Sequence, residues 1–321
     1  MSRAEVMALV AEDLAKVERA IELDTVCSVD AVTAISRHLQ ASGGKRLRPL
    51  LVLLTARSLG AASDSAIRMG AVVEIVHAAT LVHDDVIDEA ETRRGRPSTN
   101  QQWGNPVSVL AGDWLYMQAF NLTLRERNFP MLDLLIELTQ TMVEGELIQN
   151  DLIGRVDLTE QEYLDLVHRK TAFLFSVCCR FGAMLAGADD SRLGEYGWNL
   201  GMAFQLIDDV LDFSASEDVL GKPVGNDLRE GKVTLPLILA LNQAGPAERE
   251  LVEQVIRDEG YDNVPAQAIR EILMRHGTLD VARARAFEFT EKALAELAPL
   301  PDTPYKRALS SIVDWIVDRD R

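Results

Sequence analysis

The chain has 321 residues, 47% of them hydrophobic, which is enough to bury a large core around a single cavity. With 33 Lys and Arg against 50 Asp and Glu the formal net charge is −17, which argues against broad contact with nucleic-acid phosphates or anionic lipid headgroups. Cys27, Cys178 and Cys179 make no disulfide framework, Met1 to Lys16 resembles neither a signal nor a transit peptide, and no uninterrupted apolar run is long enough to span a bilayer, so the sequence reads as a cytoplasmic protein without a transmembrane segment.

Hydrophobic residues recur at three and four almost throughout, with no convincing alternating segment, so the class is all-α. A first helix is expected from Ala4 to Leu23 and a second from Asp30 to Gln40, both as packing elements. Ser42 to Pro49 is a glycine turn carrying Lys45, Arg46 and Arg48, where the backbone can approach an anion and Lys45 and Arg48 share a face; solvated charges at a helix start would look the same. Asp64 opens a helix expected to reach Ala90. It contains His77, which by itself reads as a core histidine, and the acidic turn Asp84, Asp85, Asp88. Thr92 to Pro97 again sets three cations, Arg93, Arg94 and Arg96, beside a glycine.

Further on, Asn105 to Leu124 reads as a helix whose Trp114, Tyr116, Met117 and Phe120 are mainly core. Met131 to Asn150 reads as another, with a break expected at Glu144-Gly145-Glu146 that lets neighbouring backbones come close. Thr159 caps the next helix ahead of an acidic first turn, and its interior carries Lys170 and Thr171 just before the apolar run Ala172 to Ala186. A lysine so placed needs an anionic partner if it is buried. The helix Ser191 to Phe213 ends in Gln205, Asp208, Asp209 and Asp212, repeating the earlier acidic turn, and a loop with Lys222 and Asp227 leads to Lys232. The helical C-terminal third offers no chemical motif. With no linker or low-complexity segment, residues 1–321 read as one domain.

Carboxylates four residues apart lie one above the other on a helix and repel, so a cation must compensate. Repeated aspartates without a histidine partner suit Mg²⁺, which takes one or two carboxylates together with substrate phosphates and water. One such turn is weak, because acidic helix ends are often only solvated; two, each after an apolar helix and each followed by a basic loop, are much stronger.

With these residues in order, Gly43 to Pro49, Asp84 to Asp88 with Arg93-Arg94, Lys170-Thr171, and Gln205 to Asp212 with Lys222, Asp227 and Lys232, the chain resembles the trans-isoprenyl diphosphate synthases of the polyprenyl synthetase family, in particular the long-chain type. The resemblance implies an all-α isoprenoid-synthase bundle around a central cavity, a homodimer, and Mg²⁺-dependent head-to-tail condensation of isopentenyl diphosphate with an allylic diphosphate, with up to three ions bound alongside the latter. By position, Lys45, Arg48, His77 and Arg94 would hold isopentenyl diphosphate. Asp84, Asp88 and Asp208 would bind the metal, with Asp212 and Asp227 acting through water. Arg93, Lys170, Lys222 and Lys232 would hold the allylic diphosphate, and Thr171 and Gln205 would steady a carbocation. His83 is left as structural.

At 1.5 Å per residue, Thr80, Ala79 and Val76 lie about 6, 7.5 and 12 Å below Asp84 along the helix. In short-chain relatives an aromatic residue commonly plugs the position four or five before the first aspartate, so small residues here imply an open floor and a product of about thirty to forty-five carbons, for a quinone side chain or a carrier. Met117, Phe120 or Leu138 on neighbouring helices could close the tunnel instead, leaving a short-chain product as the alternative. A terpene cyclase would not need the second cation set.

Overall fold

The computed structural model describes residues 1–41, 43–44, 46–214 and 225–318, so Lys45 and Lys222 lie outside the described residues. Among the described residues the only sheet is a two-residue antiparallel ladder, and the rest of the regular structure is helical, in line with the three-and-four spacing. The chain divides into two compact units: Met1–Thr139 with Phe175–Gly194 and Pro299–Ser311, and Gln140–Leu174 with Glu195–Ala298 and Ile312–Arg321.

The first unit begins with α1 (Arg3–Leu9) and α2 (Ala11–Asp24), where the sequence predicts one helix. The break is at Val10, whose φ of −131° leaves the helical region while its N–H closes back on Met7 O. Val6, Val10, Leu14 and Val17 are nonetheless all buried. Then come α3 (Asp30–Ala41), α4 (Leu47–Ser58), α5 (Asp64–Ile87), the ladder β1 (Thr92–Arg93) with β2 (Arg96–Pro97), α6 (Thr99–Trp103) and α7 (Asn105–Arg125).

Helix α5 is the axis of this unit. Ser63 caps it by accepting the Ala66 N–H, its 24 residues extend about 36 Å, and α2, α4 and α7 pack on it. Its Val72, Val73, Ile75 and Val76 are fully covered, and α4 hides Leu50 through Leu54 all round; each such side chain contributes about 1.5–3 kcal/mol. Among the described residues α5 is the one helix long and apolar enough to cross a membrane by length and composition, yet 56% of that window is buried inside the protein, as in a core helix. It stops at Ile87, short of the predicted Ala90, and Asp88 is its C-cap. The Asp88 N–H still bonds Asp84 O at 2.8 Å, so the one-turn relation between the two aspartates holds.

In the second unit α8 (Phe129–Leu152) contributes its residues from Gln140 onward, followed by α9 (Glu160–Val167), one π turn (His168–Ala172) and α10 (Phe173–Leu185), of which Phe173 and Leu174 belong here. The break predicted at Gly145 is absent, since the helix runs straight through. What Gly145 supplies is closeness: a Cβ there would stand 2.9 Å from Arg169 Cβ, so α8 can lie against the π turn. Thr159 and Glu162 form a capping box on α9. Helix α11 (Ser191–Ser214) carries the buried Tyr196, Leu200, Leu206 and Val210, and α12 (Asn226–Arg229) and α13 (Leu235–Leu241) follow. Next in order are α14 (Pro246–Asp258), α15 (Ala266–Arg275), α16 (Thr278–Leu297) and α17 (Pro304–Val317). α13 packs on α16, where Ala282, Ala286 and Ala293 are buried.

Candidate active site

In the first unit the polar residues gather on one stripe of α5. The turn between β1 and β2 is made by Arg94 and Gly95, both with positive φ (52° and 74°), a two-residue hairpin geometry that fixes where Arg94 points. Its guanidinium donates to Gly43 O in the glycine turn, joining two cation clusters the sequence separates by fifty residues. The two described cations of the glycine turn do not act alike. Arg46 turns away and pairs with Glu18 and Glu74, the latter at 3.3 Å. Arg48 stacks over Phe175, its Cζ 5.6 Å from the ring centre, and its shielded Nε has no hydrogen-bond partner.

Burial lowers the Arg48 pKa, against the pull of Glu74. Burial raises that of Glu74, against the pull of Arg48 and Arg46. His77, one turn along α5 from Glu74, is pushed well below the usual histidine range, first by burial and then by the guanidiniums of Arg48, Arg94, Arg93 and Arg46, so it is neutral near pH 7. A neutral imidazole between arginines can donate or accept without adding to their repulsion.

Below this cluster the acidic turn splits by burial. Asp84 is half-buried and Asp88 exposed, whereas Asp85 has no accessible surface. Asp85 Oδ1 accepts from Arg93 Nε at 2.5 Å, and Oδ2 accepts from the Thr99 N–H and hydroxyl at 3.0 Å each. Arg93, expected to hold the allylic diphosphate, is thus tied to Asp85 and the start of α6. His83 faces α7, its Nε2 3.1 Å from Val109 O, over Gly112, where any Cβ would collide with the ring. Val76 and Ala79 are fully covered; Thr80 is partly accessible, and its hydroxyl bonds His77 O at 2.8 Å.

In the second unit Lys170, Thr171, Gln205, Asp209, Asp227 and Lys232 line a cavity of about 210 Å³. Lys170 Nζ meets the carboxylate of Glu146 at 2.6 Å and the side-chain oxygen of Gln149 at 2.7 Å, the partners a half-buried lysine requires. The Thr171 hydroxyl donates to Gln205 Oε1 at 3.0 Å, Gln205 Nε2 donates to Asp209 Oδ1 at 2.8 Å, and the Tyr163 hydroxyl donates to Asp209 Oδ2. Burial raises the Asp209 pKa well above the carboxylate range, and neighbouring Asp227 adds to it; burial and Asp209 raise that of Tyr163. Asp208 is exposed. Asp212 is fully buried, its Oδ2 accepting the Asp227 N–H at 3.2 Å while its backbone oxygen accepts the Gly225 N–H at 2.8 Å. Lys232 Nζ sits 2.8 Å from Glu230.

Among the described residues no three His, Cys, Asp or Glu side chains gather into a ready-made metal cage. Taken unit by unit, Asp84 and Asp88 in the first and Asp208 in the second are accessible hard-oxygen donors, the kind Mg²⁺ takes alongside phosphates and water.

Several residues of these clusters carry no signal in the motifs. Glu74 could have been found, because it shares the α5 stripe with His77 three residues on. Asp85 and Asp209 sat inside the acidic turns without a role. Tyr163 and Glu146 become neighbours of Asp209 and Lys170 only through tertiary packing. Met117, expected mainly as core, is 61% exposed.

A family model described as polyprenyl synthetase matches residues 29–273. Octaprenyl diphosphate synthase of Escherichia coli is 37% identical over 316 residues, covering 98% of each chain. Geranylgeranyl diphosphate synthase of Methanosarcina mazei is 36% identical over 313 residues, covering 93% of each. Among solved structures, a polyprenyl synthase from Caulobacter crescentus complexed with calcium and isoprenyl diphosphate superposes with a TM-score of 0.94 at 38% identity, over all of this chain and 98% of that one.

Proposed function

The chain belongs to the polyprenyl synthetase family and is a prenyltransferase, and on that premise we propose that it condenses isopentenyl diphosphate head-to-tail with an allylic diphosphate such as farnesyl diphosphate. The observation that carries this is the arginine cluster around neutral His77, with its shielded and unpartnered Arg48 Nε. A buried guanidinium donor left without a partner is costly, and a phosphate oxygen would satisfy it. Arg48, Arg94 and His77 then hold isopentenyl diphosphate, joined by Lys45. A terpene cyclase, which ionises one substrate, has no use for that second anion site.

Asp84 and Asp88, and on the second unit Asp208, would hold Mg²⁺, which would supply charge neutralisation at the leaving diphosphate of the allylic partner. Lys170 and Lys232, with Lys222, draw that diphosphate in; Arg93 adds charge while bracing Asp85, and Asp212 and Asp227 stand behind Asp208. The allylic C–O bond breaks with both electrons going to the diphosphate. The oxygens of Thr171 and Gln205 face the cation that remains. The isopentenyl double bond supplies the electrons of the new C–C bond, and the released diphosphate takes the proton whose loss restores the alkene. Relatives named for octaprenyl and for geranylgeranyl diphosphates differ in product length, and we assign this chain to the long end because no aromatic side chain stands at Ala79 or Thr80. An apolar stripe on α7, Leu110, Met117 and Leu124 at seven-residue spacing, supports a homodimer.

The test is incubation of the purified protein with farnesyl diphosphate, isopentenyl diphosphate and Mg²⁺, followed by product sizing. Elongated all-trans products of about thirty carbons or more are expected, since the positions four and five before Asp84 are the small Thr80 and Ala79. Absence of any elongated product overturns the reading, a cyclic hydrocarbon favours the cyclase, and a product that stays long in wild type but shortens in Ala79→Tyr identifies α5 as the tunnel wall.

A further inference from the structure

Resting on that reading of the reaction, we propose that Tyr163 and Asp209 are positioning residues: they set the hydrogen-bond polarity of Gln205 and Thr171, so that both present oxygen lone pairs, not protons, to the cavity.

The polarity follows from which groups can donate. Gln205 Nε2 donates to Asp209 Oδ1 at 2.8 Å and the Tyr163 hydroxyl donates to Oδ2, so both carboxyl oxygens serve as acceptors and the NH₂ of Gln205 faces Asp209. The amide is planar, so Oε1 then lies on the opposite side, where Thr171 Oγ1 stands 3.0 Å away. A threonine hydroxyl has one proton, and here it is committed to Oε1. What remains on Oγ1 is lone pairs. Reversing the amide would set Oε1 against the carboxylate and release the Thr171 proton toward the cavity, where positive charge must develop.

Tyr163 locks the arrangement from the far end. Its hydroxyl occupies the second carboxyl oxygen of Asp209, so neither oxygen is left to swing toward another donor. Tyr163 and Asp209 are only 3% and 2% exposed, which keeps water from replacing either bond. The four side chains come from α9, the π turn and α11, three elements of one compact unit, and all four line the same cavity. Oriented dipoles that need not reorganise during reaction favour the ionised state over the neutral substrate. Tyr163 and Asp209 do this without touching the reacting atoms.

A double-mutant cycle on the full-length enzyme with farnesyl and isopentenyl diphosphates tests the proposal. Tyr163→Phe should lower kcat about tenfold while leaving both KM values within about twofold, because polarity is felt only as charge develops. Thr171→Val should lower kcat at least as much, and the double variant should lose much less than the product of the two single losses, since Tyr163 acts in part through Thr171. Multiplication of the two losses overturns the proposal, as does a rise in KM in place of the fall in kcat. Circular dichroism on the same samples checks folding, and if Tyr163→Phe does not fold, the nearly isosteric Asp209→Leu takes its place in the cycle with the same expected outcomes. An inactive wild type overturns the synthase reading itself; an active wild type with an additive cycle overturns the relay alone.

Discussion

The two acidic turns look alike in sequence, but the regions holding them are electrostatic opposites. Around α5 four guanidiniums surround Glu74 and His77, and the histidine is driven below its usual pKa. Around the end of α11, Asp208, Asp209 and Asp227 crowd Tyr163, and both Tyr163 and Asp209 are driven above theirs. The middle aspartates repeat the contrast, for Asp85 is neutralised by Arg93 whereas Asp209 is held by a phenol and an amide. A diphosphate without metal can settle among guanidiniums directly; one that enters among carboxylates must bring cations. That division of labour is what a two-diphosphate reaction requires.

The strongest way to break this picture is to remove the proposed metal donors. Asp84→Asn and Asp208→Asn should each lower kcat by about a thousandfold or more with unchanged circular dichroism, and chelation with EDTA should abolish turnover in wild type. Near-normal turnover in either variant, measured at saturating Mg²⁺, would place the metals elsewhere. Next in size is Arg48→Met, which keeps an unbranched apolar side chain but removes the guanidinium that stands over Phe175. KM for isopentenyl diphosphate should rise about a hundredfold, equivalent to roughly 2.7 kcal/mol, with a much smaller change for the allylic partner. Equal shifts in both KM values would erase the distinction between the two regions.

Much of this was legible in the residues themselves. The three-and-four spacing located the helices, and the acidic turns stood out because each ends an apolar run. What sequence could not supply was which aspartate of each turn faces inward. Burial decides that, and Asp85 and Asp209 differ from their neighbours only in what α6 and α9 bring against them. The same limit explains Val10, where a residue unremarkable in its pattern breaks a helix; at Gly145 the expected close approach is present, but the helix continues without the expected break. Arg46 and Arg48 are two residues apart in one basic motif, yet one is bound to Glu18 and Glu74 and the other is not hydrogen-bonded at Nε. Only the left-handed backbone at Arg46, φ 49°, separates their directions.

The middle aspartates give a sharper test than the outer ones, because it is read in stability and not in turnover. Asp85→Asn leaves Arg93 without its carboxylate and weakens the hold on Thr99, and should cost about 2–3 kcal/mol in urea unfolding, less than a fully buried pair because Arg93 keeps some solvent. Asp209→Asn keeps an acceptor for one of its two neutral partners and sets an NH₂ against the other, a loss that removal of a buried charge offsets, so its cost should stay below that of Asp85→Asn. Equal losses would mean that the two carboxyls are held in the same way after all.

The smallest effect isolates the cationic region by its pH dependence. Because the native state holds the His77 pKa well below 6.5, the unfolded chain takes up a proton first as pH falls. The stability tied to neutral His77 is therefore complete above about pH 6.5 and declines below it, by about 1.4 kcal/mol per unit, until the native pKa is reached. His77→Gln cannot titrate, so its unfolding free energy should fall less steeply than that of wild type between pH 6.5 and 5.5. Inorganic pyrophosphate at saturating concentration would bring negative charge among the same four guanidiniums, raise the histidine pKa toward its usual value and narrow the gap between wild type and variant. A gap that pyrophosphate leaves untouched would mean that the anion does not settle beside His77.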